Sequence, residues 1–72
     1  MRGNFFYNRL GRCLFKIREK KHLSQENVAL ICDVDRTYIS RIEKGRANPT
    51  IKTLQKIANA LRIKLWKLLK NL

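Results

Sequence analysis

Apolar residues recur along this chain at helical spacing, in five runs parted by short polar breaks, and no run alternates as a strand would. The first run places Phe6, Leu10, Cys13, Leu14 and Ile17 on one stripe and predicts a helix from about Phe5 to Lys21. Phe15 points the other way. His22 stands where this helix should stop, and His tolerates a left-handed backbone better than most residues. Ser24 reads as the N-cap of a second helix, with Leu23 and Val28 spaced as a hydrophobic staple. Val28, Ala29 and Cys32 face inward, and Asp33 breaks the helix. Asp35 caps a third helix, stapled by Val34 and Ile39 and ended by Gly45. Asn48-Pro49-Thr50 is a turn and a cap for a fourth, whose core positions are Leu54, Ile57, Ala58 and Leu61. The last helix is expected over about Lys64 to Lys70. Leu65, Leu68, Leu69 and Leu72 form its stripe and Trp66 flanks it.

The third helix has two unlike sides. At 100° per residue Ile39 and Ile42 fall together, with Tyr38 at their edge. Arg36, Thr37, Ser40, Arg41 and Lys44 fall opposite. A solvated helix usually mixes charge signs, but this polar side carries no acid. Two short helices joined by a tight turn, the second with a basic outer face, have the layout of a helix-turn-helix that enters the DNA major groove. Arg bidentate to guanine is the commonest specific contact there, and Thr can meet a base, a phosphate or a thymine methyl.

Charge strengthens that reading. Seventeen Lys and Arg stand against five Asp and Glu, a net +12 over 72 residues. Such a field draws polyanions by counterion release, so nucleic acid is the leading partner and an anionic membrane the competitor. The length predicts a single domain, 1–72, which buries only about 60% of its unfolded surface and gains from a partner. Two cysteines and one histidine do not form a zinc pattern, so no metal and no cofactor are expected. A Cys13–His22 pair lacks an orienting third residue and an oxyanion loop, which argues against an enzyme. No apolar run reaches the length of a membrane span, and the N-terminal patch is too short for a signal peptide, so a cytoplasmic protein is expected.

The ordered pieces together carry a resemblance. They are Leu10-Gly11 with Leu14 and Ile17-Arg18; Leu23-Ser24-Gln25-Glu26; Val34 through Gly45; Asn48-Pro49-Thr50; and Leu54, Ile57-Ala58, Leu61. From about Leu10 to Leu69 the chain resembles the Cro/repressor-type helix-turn-helix family, also called the xenobiotic-response-element family. Asp35-Arg36-Thr37-Tyr38-Ile39-Ser40 with Gly45 and Asn48-Pro49 also looks like the controller proteins of restriction–modification systems. The resemblance implies an all-α, five-helix, lambda-repressor-like domain that binds double-stranded operator DNA as a homodimer. It implies base contacts from Arg36, Thr37 and Arg41. Backbone contacts are implied for Gln25, Tyr38, Ser40, Lys44, Arg46 and Asn48, and a buried ion pair for Arg18 and Glu43. The chain departs from the family at Asp33, His22 and Arg62, where glycine is frequent, and at Trp66, where the family is usually polar.

Taken alone, residues 60–72 read as a basic amphipathic helix for a membrane or for calmodulin. Within the family this segment closes the core and supplies the dimer seam, with Leu65, Trp66 and Leu69 at the interface. The expected function is therefore transcription regulation at an operator, either by blocking RNA polymerase or by touching it. The alternative is an antitoxin-like module that neutralises a partner protein and binds DNA secondarily, for which Phe5, Phe6 and Phe15 are the candidate contacts.

Overall fold

The computed structural model describes residues 2–70. Among these described residues five helices follow in order: α1 (Arg2–Lys20), α2 (Gln25–Cys32), α3 (Arg36–Glu43), α4 (Ile51–Leu61) and α5 (Trp66–Leu69). Among the described residues there is no strand. Leu72, expected on the last stripe, lies outside them.

Local chemistry sets the helix starts. Ser24 and Asn27 form a reciprocal box: the Ser24 hydroxyl accepts from the Asn27 N–H, and the Asn27 side chain accepts from the Ser24 N–H. Asp35 accepts from the Thr37 N–H and opens α3. Thr50 accepts from the Thr53 N–H and opens α4.

The helix ends share one device. After α1 to α4 the chain turns left-handed at His22, Asp33, Gly45 and Arg62, with φ near 59° at the three non-glycine positions and 73° at Gly45. At each, the following N–H returns to a carbonyl five residues back: Leu23 to Arg18, Val34 to Ala29, Arg46 to Arg41 and Ile63 to Ala58. Leu23, Val34 and Ile63 then tuck against the core, which is what holds three side-chain-bearing residues in a conformation glycine prefers.

Leu10, Leu14, Val28, Ile39, Ile42, Ile57, Leu61 and Leu68 are the largest fully buried side chains. Both isoleucines of α3 are therefore inside. α2 packs on α3 and on α4, while α1 packs on α3 and on α5. Gly11 permits a close approach of α1 to α3, since a Cβ there would overlap the carbonyl oxygens of Ile42 and Glu43 at the end of α3.

Two expectations are corrected. Phe6 does not join the α1 stripe but is 44% exposed. It sits edge-on to Tyr7, with ring centroids 5.2 Å apart. The expected last helix of Lys64 to Lys70 shortens to Trp66–Leu69. Leu65 offers no side-chain cap, and the chain enters through tight turns from Lys64 to Lys67 and Leu65 to Leu68. Only Leu68 of this segment is fully buried, while Leu65 and Leu69 are half-buried.

Candidate nucleic-acid interface

α3 presents the outer face its sequence predicted. Arg36, Thr37, Arg41 and Lys44 are exposed, Tyr38 and Ser40 are half-buried, and Ile39 and Ile42 are covered. Burial of those two isoleucines fixes the roll of the helix, so the polar side has only one direction to face.

The roll is also locked by charge. The Arg18 guanidinium donates from Nε to Glu43 Oε2 at 2.6 Å and from Nη2 to Glu43 Oε1 at 3.0 Å, tying α1 to the end of α3. Its Nη1 donates to the Leu23 carbonyl at 2.7 Å. Side-chain exposures of 7% and 5% make this a buried pair, and every buried polar side-chain atom among the described residues has a partner. Hydrogen bonding to Glu43 pushes the Arg18 guanidinium above its ordinary range, partly opposed by desolvation.

Glu43 carries the connection onward. Its Oε1 also accepts from Gln25 Nε2 at 3.0 Å, and Gln25 Oε1 accepts from Arg36 Nη1 at 3.3 Å. Arg36 also lies 3.8 Å from the Glu26 carboxylate. A chain of contacts thus runs from the buried pair to the first residue of α3. The polar side of α3 holds no acid of its own, yet the fold brings one beside it from α2. No sequence signal pairs Glu26 with Arg36, because the approach depends on the angle between the helices.

Beyond α3 the loop carries Arg46 and Asn48, both exposed, around the left-handed Gly45. The start of α1 reaches this loop. The Tyr7 hydroxyl donates to Asn48 Oδ1 at 2.7 Å, and Asn8 lies against Gly45, where any Cβ would strike it. Sequence reading missed Tyr7 and Asn8, since 41 positions separate Tyr7 from Asn48 and neither residue type signals the contact.

Elsewhere the chemistry is quiet. Cys32 is buried and Cys13 half-buried, and burial raises both thiols above their ordinary pKa. Among the described residues no group of His, Cys, Asp and Glu could hold a metal ion. Among the same residues no helix is long and apolar enough to cross a membrane.

The helix-turn-helix family HTH_3 matches residues 14–65, most of the chain. The chain belongs to that family. Its similarity to the control protein C.MunI of a Mycoplasma species is 48% identity over 61 residues, covering 83% of this chain and 82% of that one. Against the control protein C.BamHI of Bacillus amyloliquefaciens it is 43% identical over 58 residues, 72% of each chain. The fold matches the crystal structure of the restriction–modification controller protein C.AhdI from Aeromonas hydrophila with a TM-score of 0.85 and 34% identity, over 86% of this chain and 94% of that one. These relatives are control proteins rather than enzymes, and membership places this chain among DNA-binding helix-turn-helix transcription regulators.

Proposed function

We propose that this helix-turn-helix protein is a sequence-specific regulator that occupies an operator as a homodimer, laying residues 36–44 in the major groove. One observation carries the reading: α3 is rolled by Ile39, Ile42 and the Arg18–Glu43 pair so that Arg36, Thr37 and Arg41 all stand outward together. Arg36, Thr37 and Arg41 read base edges. Gln25, Tyr38, Ser40, Lys44, Arg46 and Asn48 hold the backbone. Of these, Gln25 is already held by Glu43 and Arg36 in the free protein, so it meets phosphate from a fixed position.

The dimer seam is assigned to the C-terminal segment. Trp66 is 56% exposed although it belongs to an apolar run, and Leu65 and Leu69 beside it are only half-covered. The ammonium groups of Lys67 and Lys70 lie over the Trp66 ring at 5.8 Å each, so positive charge rims the strip. A single domain in the cytoplasm, acting on RNA polymerase by exclusion or by contact, completes the proposal. The names of the relatives C.MunI and C.BamHI favour a control protein within that class.

The antitoxin-like alternative finds less support. Its candidate contacts Phe5, Phe6 and Phe15 are exposed, but the relatives C.MunI and C.BamHI are named as control proteins and neither name points to an antitoxin. Footprinting on DNA upstream of the protein's own gene tests the proposal. It expects two protected half-sites about ten base pairs apart, centre to centre. Uniform coating of this DNA, with no half-site protected before random DNA is, would refute it.

A further inference from the structure

The helix-turn-helix family match begins at residue 14, whereas α1 begins at Arg2, twelve residues earlier. The first turns of α1 build one wall of a cleft of about 410 Å³, lined by Tyr7, Tyr38, Arg41, Gly45, Arg46 and Asn48 among others. We propose that this cleft seats a backbone phosphodiester of the bound DNA, and that Tyr7 is a positioning residue that aims the Asn48 amide at it. The inference rests on α3 entering the groove, since the cleft opens at the end of that helix.

A phosphodiester needs positive charge, directed donors and no carboxylate nearby. The cleft supplies the guanidinium of Arg46 and the phenol of Tyr38, the base-reading Arg41 adds positive charge at its edge, and no acid lines it. The cleft beside α2 differs, because Glu19 and Glu26 line it with Arg18 and Arg36. Asn48 is the ambiguous member. Its amide offers an oxygen one way and two N–H donors the other. The Tyr7 hydroxyl donates to Oδ1 at 2.7 Å and so selects the orientation that leaves the Nδ2 donors for a ligand. With its own proton engaged on Asn48, Tyr7 acts through that amide rather than on the phosphate.

The wall is held in place from three sides. Asn8 presses on Gly45, Gly11 lies on the last carbonyls of α3, and Phe6 stands edge-on to the Tyr7 ring. This gives the solvent-facing Phe6 a task that the monomer core does not require of it.

A double-mutant cycle on the full chain tests the proposal. The variants are Tyr7→Phe, Asn48→Ala and both together, titrated against the footprinted duplex and a random-sequence duplex of the same length. Tyr7→Phe removes one oxygen, and its melting curve should stay close to wild type. It should weaken both duplexes alike by about fivefold, the scale of one lost hydrogen bond. The double variant should bind no worse than Asn48→Ala alone. Ethylation interference at the phosphate seated in the cleft should be weaker in Tyr7→Phe than in wild type and unchanged at the other phosphates, a local change a purely structural role would not produce. Unchanged binding by Tyr7→Phe or by Asn48→Ala overturns the proposal, as do multiplicative losses in the double variant. If wild type binds duplex while Tyr7→Phe is silent, only the phosphate seat fails. If wild type binds no duplex, the DNA-binding reading fails with it.

Discussion

Changing Glu43 to Gln should cost far more than an exposed ion pair would. At an effective dielectric of about 20, unit charges about 3 Å apart attract by roughly 5 kcal/mol, before desolvation is subtracted. Removing one partner of a buried pair usually costs about 3–5 kcal/mol, because the other charge stays behind. Here the lower end applies. Arg18 keeps its bond to the Leu23 carbonyl and a 3.6 Å approach to Glu19. A loss of about 3 kcal/mol is a large share of the roughly 4–11 kcal/mol expected for a 72-residue domain. At about 4–8 °C per kcal/mol it lowers Tm by roughly 12–24 °C. Far-UV circular dichroism melts at pH 7 measure it. The difference should survive 0.5 M salt, since a buried pair is poorly screened. On the arginine side the contribution is full below the ordinary arginine pKa. It fades only as pH rises through the raised folded value, in strong alkali. Arg18→Met with Glu43→Leu should recover most of the lost stability. That double variant should still bind DNA weakly, because Gln25 loses its acceptor on Glu43. A Glu43→Gln drop below about 5 °C, or one erased by salt, would place the pair with exposed bridges worth under 1 kcal/mol and refute the reasoning.

Four further outcomes are expected. Arg36→Ala or Arg41→Ala should cost about 1–3 kcal/mol against the operator and relax base preference in competition assays; equal weakening on all sequences would reassign that residue to phosphate. Lys44→Gln or Arg46→Gln should weaken every duplex and reduce the salt slope by about one each, and an unchanged slope removes the residue from the footprint. Trp66→Glu should give a folded monomer in sedimentation with little cooperative operator binding, and added salt should tighten wild-type association by screening two +12 chains; a Trp66→Glu protein that stays dimeric would move the seam elsewhere. Arg62→Gly should raise Tm by a few degrees, because it relieves a left-handed residue at a cost of about 1 kcal/mol in unfolded-chain entropy; a lower melting temperature would mean that the arginine stem packs usefully there.

Much of this protein was determined by sequence alone, wherever the controlling interaction is short. Ser24, Asp35 and Thr50 cap the helices they precede, because a cap bonds an N–H two or three residues away. His22 and Asp33 stop helices for an equally local reason, a left-handed turn closed by nearby carbonyls. The outward side of α3 followed from the spacing of Ile39 and Ile42, since one buried side leaves its opposite exposed. Tertiary structure decided the rest. Periodicity assigned Phe6 to the core, yet only the crossing of α1 over α3 settles which side of its first turns meets a neighbour, and that side carries Tyr7 rather than Phe6. The same crossing brings Tyr7 to Asn48, and helix packing brings Glu26 to Arg36. The last helix shrank to Trp66–Leu69 because apolar spacing marks a face without fixing how many turns the core can hold against it. Caps and stops act over a few bonds, which a sequence records directly. Contacts between helices depend on angles and distances that arise only when all the apolar faces are buried at once.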